Sequence, residues 1–124
     1  MLGTSALVAF AATLDAPRAR AFYQDVLGLT LVEHNDFASV FDANGTMLRV
    51  TPVPTFTPAP DTVLGWAVAE ISTTVRDLTA KGVTFTRYPG MDQDETRVWT
   101  APGGARIAWF TDPDGNVLSL TQFG

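Results

Sequence analysis

Hydrophobic and polar positions alternate along the chain in two successive series of the same kind. Residues 7–12 form a short, wholly apolar run bounded by polar residues, which predicts a buried strand. Asp15 follows as a helix cap, with Pro17 tolerated in the first turn. Ala19, Phe22, Tyr23, Val26 and Leu27 recur at i, i+3, i+4, i+7 and i+8, one face of a helix expected over 15–27. Gly28 stands where a left-handed cap is wanted. Segments 30–33, 37–41 and 47–51 read as strands, and Asn44-Gly45 supplies the tight turn before the last.

Pro52, Pro54, Pro58 and Pro60 then mark an extended linker over 52–61, because such a run resists both helix and sheet. After it the plan repeats. A strand over 63–69 is followed by Ser72 as a cap and a helix expected over 72–81, with Val75, Leu78 and Thr79 at helical spacing and Gly82 closing it. Strands are expected at 83–88 and 106–111, with 96–100 as a candidate for an additional short one. The turn Asp112-Pro113-Asp114-Gly115 returns the chain as a last strand, 117–121. Val8 and Val63 are 55 residues apart, as are Asp15 and Glu70, while Gly28 and Gly82 are 54 apart. A near-constant offset through strand and helix indicates a duplicated unit. The expected fold is α+β: two βαβββ modules, 5–52 and 62–123, in one domain spanning 1–124.

Strand alternation divides each sheet into two faces. Leu48 and Val50 oppose Met47, Arg49 and Thr51; Leu64, Trp66 and Val68 oppose Val63, Gly65 and Ala67; Leu118 and Leu120 oppose Val117, Ser119 and Thr121. The bulky faces are expected on the helices, leaving the small and mixed faces to line a cleft.

The chain has 124 residues, 46% hydrophobic and 17% charged, enough for one ordinary domain with a real core. Its net charge of -5 offers no basic stripe for phosphate backbones, so nucleic acid is excluded as a partner. No cysteine is present, which removes disulfides, thiolate nucleophiles and cysteine-bound zinc. Residues 2–21 superficially resemble a signal peptide, but no Lys or Arg precedes the apolar stretch, and Asp15 and Pro17 interrupt it. No run reaches the length of a membrane span. A cytoplasmic location without membrane partners is expected.

Two stretches carry a family resemblance. Ala19-Arg20-Ala21-Phe22-Tyr23-Gln24-Asp25-Val26-Leu27-Gly28-Leu29 resembles a first-helix signature, and Thr111-Asp112-Pro113-Asp114-Gly115-Asn116-Val117-Leu118 resembles a closing hairpin. Both are those of the vicinal oxygen chelate superfamily, the fold group of glyoxalase I and the bleomycin-resistance proteins. Together with the duplication they are specific for that fold and say little about the reaction. The resemblance implies that metal-dependent members draw four ligands from the first and last strands of each module. Here those positions match Val8, Arg49, Val63 and Ser119, none a His or a carboxylate. Neither metal nor any other cofactor is expected. Relatives usually dimerise, so the resemblance also implies a homodimer.

Arg49 offers a planar fork of donors suited to an anion or carbonyl; the alternative is an Arg paired with a carboxylate or reaching for solvent. Val8, Phe10, Met47, Val63 and Ser119 are expected beside it on the cleft face. His34, the single histidine, is of the type suited to proton transfer near neutrality, but its polar flanks equally fit a solvated strand end. Glu33, His34 and Asp36 do not have the spacing of a metal cluster, since adjacent strand residues point apart. Trp66 reads as core, whereas Trp99, beside Pro102 and Gly103, is the better cleft or interface candidate. Tyr88, Met91 and Asp92 fall in a loop that the resemblance makes a rim.

No catalytic set emerges. The leading expectation is metal-independent binding of a small organic ligand, aromatic or anionic, as in bleomycin-resistance-type proteins. The alternatives are a metal-free lyase, isomerase or cyclase using Arg49 with His34 or a rim carboxylate, and a dimerisation module.

Overall fold

The computed structural model describes all 124 residues as two compact units, Met1–Pro58 and Ala59–Gly124. The first contains β1 (Val8–Thr13), α1 (Ala16–Ala21), a π-turn (Phe22–Val26), β2 (Thr30–His34), β3 (Ser39–Ala43) and β4 (Thr46–Pro52). The second contains β5 (Thr62–Ala67), α2 (Ile71–Ala80), β6 (Trp99–Thr100), β7 (Arg106–Thr111) and β8 (Val117–Gln122). Each unit is a βαβββ module with one four-stranded sheet, ordered β1-β4-β3-β2 in the first and β5-β8-β7-β6 in the second. The first strand of each lies parallel to the last, and the other pairings are antiparallel.

Local signals account for most boundaries. Asp15 caps α1 by accepting from Arg18 N at 3.1 Å, which satisfies one of the free N–H groups of a helix start. The expected helix changes pitch after Ala21: Leu27 N donates to Phe22 O at 3.0 Å, a bond of π-type spacing. The expected face nevertheless turns inward, with Ala19 and Tyr23 fully buried. Gly28, at φ 77°, ends the segment. Asn44 and Gly45 both take positive φ in the β3–β4 hairpin, and Asp42 Oδ1 accepts from Gly45 N at 2.9 Å. In the last hairpin Asp112 Oδ1 accepts from Asp114 N and Asn116 N, while Asn116 Nδ2 donates to Asp112 Oδ2 at 2.8 Å. Both side chains are buried, and their mutual bonds meet the cost of burial.

Two expectations are corrected. Ser72 does not cap α2; Glu70 occupies the cap position without a side-chain bond, and Ile71 N donates instead to Gln122 Oε1 of β8 at 2.9 Å. Segment 83–88 is not a strand, although it runs beside β7. Its one backbone bond to that strand is from Thr86 N to Trp109 O, at 2.7 Å. The buried Gln93 side chain takes the neighbouring backbone groups, accepting from Tyr88 N at 2.7 Å and donating to Thr86 O at 2.9 Å. With those groups already paired, no ladder forms.

The two cores follow the alternation. Ala11, Phe41, Leu48 and Val50 lie on the helix-side face of the first sheet, where Tyr23 meets Phe41 with ring centroids 5.8 Å apart. Ala108, Phe110, Leu118 and Leu120 do the same in the second, together with Ile71, Val75 and Phe85. Burying one such Phe or Leu side chain stabilises the fold by roughly 1.5–3 kcal/mol.

Candidate functional site

Each sheet leaves its other face open. In module one the register aligns Val8 with Met47 and Phe10 with Arg49. Asp42 pairs with Met47 and Val40 with Arg49, and Glu33 pairs with Val40. One row of this face therefore reads Glu33–Val40–Arg49–Phe10, and the next reads Asp42–Met47–Val8. Phe10 is 60% exposed, Met47 43% and Val8 39%. Arg49 is half-buried and makes no ion pair or side-chain hydrogen bond. A guanidinium thus stands among apolar side chains that nothing in its own module covers. A recess of about 230 Å³ opens at one end of the face, lined by Val32, Val40, Asp42 and Met47 among others.

His34 is not part of this surface. The register of β2 shifts between Leu31 and Glu33, leaving Val32 as an extra residue. Glu33 then pairs with Val40 and His34 with Ser39, so His34 falls on the face opposite Arg49. The pairing of Arg49 as electrophile with His34 as base loses its geometry. Glu33 and Asp42 are the carboxylates on Arg49's side.

In module two the open face carries Gly65 and Ala67 of β5, Ile107 and Trp109 of β7, Ser119 and Thr121 of β8, and Trp99 of β6. Trp99 and Trp109 lie 6.2 Å apart at 35°, and Tyr88 meets Trp109 edge-on at 5.4 Å. Trp109 was the residue that alternation could have assigned, since Ala108 and Phe110 on either side are core. A recess of about 230 Å³ adjoins it, lined by Pro60, Tyr88, Met91 and Val117 among others. Ser119 is buried beside Gly65, whereas Val63 sits in a second register shift, between Thr62 and Leu64, outside the regular pairing. Trp66 is half-buried on the helix-side face, with Leu64.

The four positions corresponding to family metal ligands supply two valines, a guanidinium and one hydroxyl. No group of three or more His, Asp or Glu side chains comes together anywhere in the chain. This donor set does not fit a divalent ion, which wants carboxylates or imidazoles.

A family model for the Glyoxalase/Bleomycin resistance protein/Dioxygenase superfamily matches residues 7–120. The chain belongs to that superfamily. Among solved structures it is similar to a member of the same superfamily from Sphaerobacter thermophilus DSM 20745, with a TM-score of 0.78 and 22% identity over 98% of this chain and 99% of that one. It is also similar to TnmS3, an antibiotic binding protein from Streptomyces sp. CB03234, with a TM-score of 0.74 and 21% identity over 100% and 99%. Lactoylglutathione lyase from Agrobacterium tumefaciens shares the fold at a TM-score of 0.73 and 17% identity, over 96% and 93%. None of the curated proteins matches this chain. At these identities the likenesses establish the fold, which binding proteins and enzymes share. No helix is long and apolar enough to cross a membrane.

Proposed function

We propose that this protein binds a small planar or carbonyl-bearing organic molecule with an anionic group, gripped by Arg49 on the open face of module one. The observation that carries the reading is the uncommitted guanidinium of Arg49 among the exposed Val8, Phe10 and Met47. Apolar neighbours lower the local dielectric and so strengthen a charge-assisted hydrogen bond to the ligand. The aromatic set of module two, Tyr88, Trp99 and Trp109, is a second surface suited to flat ligands. The likeness to TnmS3, an antibiotic binding protein, supports binding as a use of this fold. The absence of His34 from Arg49's face weakens the enzymatic alternative, and the metal-position side chains favour a metal-independent protein.

Calorimetry with the wild type and Arg49→Met tests the reading, after a screen of aromatic acids and polyketide-like compounds has found a ligand. Met keeps much of the apolar volume and removes the donors. Affinity for an anionic ligand should fall by about 1.5–3 kcal/mol. Unchanged affinity would make Arg49 structural and move the site elsewhere.

We further propose a homodimer. Leu2, Leu7, Leu14, Phe37 and Phe123 are exposed large apolar residues outside the Arg49 surface, and an oligomer would give them cover. Sedimentation as a monomer at high micromolar concentration would contradict it.

A further inference from the structure

Module two holds a cavity of about 430 Å³ on the helix side of its sheet, away from the open face that carries Trp99 and Trp109. That volume lies within the roughly 300–1,000 Å³ of small-ligand sites. One wall is α2, and the other is formed by segments 83–85 and 95–97. Its apolar part comes from Val75, Val83 and Phe85, all buried in the module. Two guanidiniums, Arg76 and Arg97, reach the rim, together with one carboxylate, Glu95.

The rim is held by side-chain bonds within its own loop. Gln93 Nε2 donates to Arg97 O at 2.8 Å while the same side chain holds segment 86–88. Arg97 sits at φ 74°, a left-handed conformation that a non-glycine residue adopts only when its surroundings impose it. Its own Nη1 donates to Glu95 O at 3.2 Å, leaving further guanidinium donors available. Arg76 is engaged only by Asp77 at 3.5 Å, with both side chains largely exposed, a contact worth little.

We propose that this cavity is a second binding site, and that it takes an amphipathic monocarboxylate whose hydrocarbon body lies on Val75, Val83 and Phe85 and whose carboxylate meets Arg97 and Arg76. Arg97, whose guanidinium has donors to spare, and the weakly held Arg76 supply the donors for one carboxylate. The mechanism is apolar burial of the tail combined with charge-assisted hydrogen bonds to the head. The site does not depend on Arg49.

The test titrates the ¹⁵N-labelled full chain with sodium octanoate, and with 1-octanol as the uncharged counterpart, following backbone amide shifts. Octanoate should produce saturable shifts at 72–79, 83–85 and 95–97, and octanol should bind at least several-fold more weakly. Arg97→Asn removes the guanidinium while keeping a residue type that tolerates left-handed backbone, and it should weaken octanoate about tenfold. Thr79→Trp, on the exposed side of α2, should plug the cavity and abolish the shifts while the dispersion of the spectrum reports an intact fold. Should Thr79→Trp unfold, the Arg97→Asn and octanol arms decide. Arg49→Met should leave the octanoate shifts at 72–79, 83–85 and 95–97 unchanged, whatever it does to shifts on the Arg49 face. Equal binding of octanol and octanoate, an undiminished affinity in Arg97→Asn, shifts confined to the open sheet faces, or no saturable shift would overturn the proposal.

Discussion

Ser119 Oγ occupies the space that a side chain on Gly65 would need: a Cβ built on Gly65 would stand 2.8 Å from it. The two residues are partners in the parallel β5–β8 ladder, on the open face of module two. Glycine in a strand interior forgoes packing and costs backbone entropy, and here close approach to Ser119 supplies the reason for it. The hydroxyl can turn aside and alanine lowers the entropy of the unfolded chain, so any net loss in Gly65→Ala should stay below about 1 kcal/mol. Adding Ser119→Ala should recover part of any such loss. A double-mutant cycle by urea denaturation should give a coupling of about 0.5 kcal/mol or more; additive effects would show that the hydroxyl turns aside without cost.

Gln93 carries more structure than its loop position suggests. It accepts from Tyr88 N and donates to Thr86 O and Arg97 O, all at 2.7–2.9 Å. Gln93→Leu keeps the approximate volume and leaves three backbone groups to find other partners. We expect a loss of about 2–4 kcal/mol in denaturant unfolding, with faster hydrogen exchange at Tyr88.

The cap of α1 rests on a single side-chain bond, from Arg18 N to Asp15 Oδ1. Asp15→Ala should cost about 1 kcal/mol, whereas Asp15→Asn, which keeps the acceptor, should cost a few tenths of that at most. Paired denaturation midpoints of the two variants would check the difference.

Asp94 gives the loop before β6 a pH dependence. Burial pushes its carboxyl up. The Thr96 hydroxyl, the N–H groups of Val98 and Thr96, and the charge of Arg106 outweigh that and hold it below its ordinary value of 3.8. A depressed carboxylate stabilises the fold above its unfolded-state value, and that stability is lost as the pH falls through the folded-state value. The stability advantage of wild type over Asp94→Asn should be present at neutral pH and shrink as the pH falls below that ordinary value, as read from urea midpoints. An advantage independent of pH would show that the ionised form is not what the loop holds.

Local chemistry made much of this fold legible. The two βαβββ modules follow from periodicities of two and about three and a half residues. Capping and turn residues such as Asp15, Gly28, Asn44-Gly45 and Asp112-Pro113-Asp114-Gly115 act within four positions of one another. Arg49 and Met47 could be placed on one face, opposite Leu48 and Val50, because alternation in β4 is unbroken. The constant offset that relates Asp15 to Glu70 marks the cap positions of both helices, although Glu70 makes no cap bond of its own.

What escaped the sequence depends on register and on bonds between distant residues. Unbroken pairing from Leu31 with Phe41 would have set His34 on Arg49's face; one extra residue, Val32, sends it to the other. Alternation in segment 83–88 reads as a strand, yet Gln93's amide claims its backbone, and side-chain capture of this kind leaves no mark in a hydrophobic pattern. The bond from Ile71 N to Gln122 spans 51 residues, which is why Ser72 reads as the cap from local pattern alone. The sequence by itself determined which residues prefer strand, helix or turn, since those preferences arise from a residue and its near neighbours. Only the tertiary structure decided which side chains share a surface, because bulges and long-range hydrogen bonds reassign faces one residue at a time.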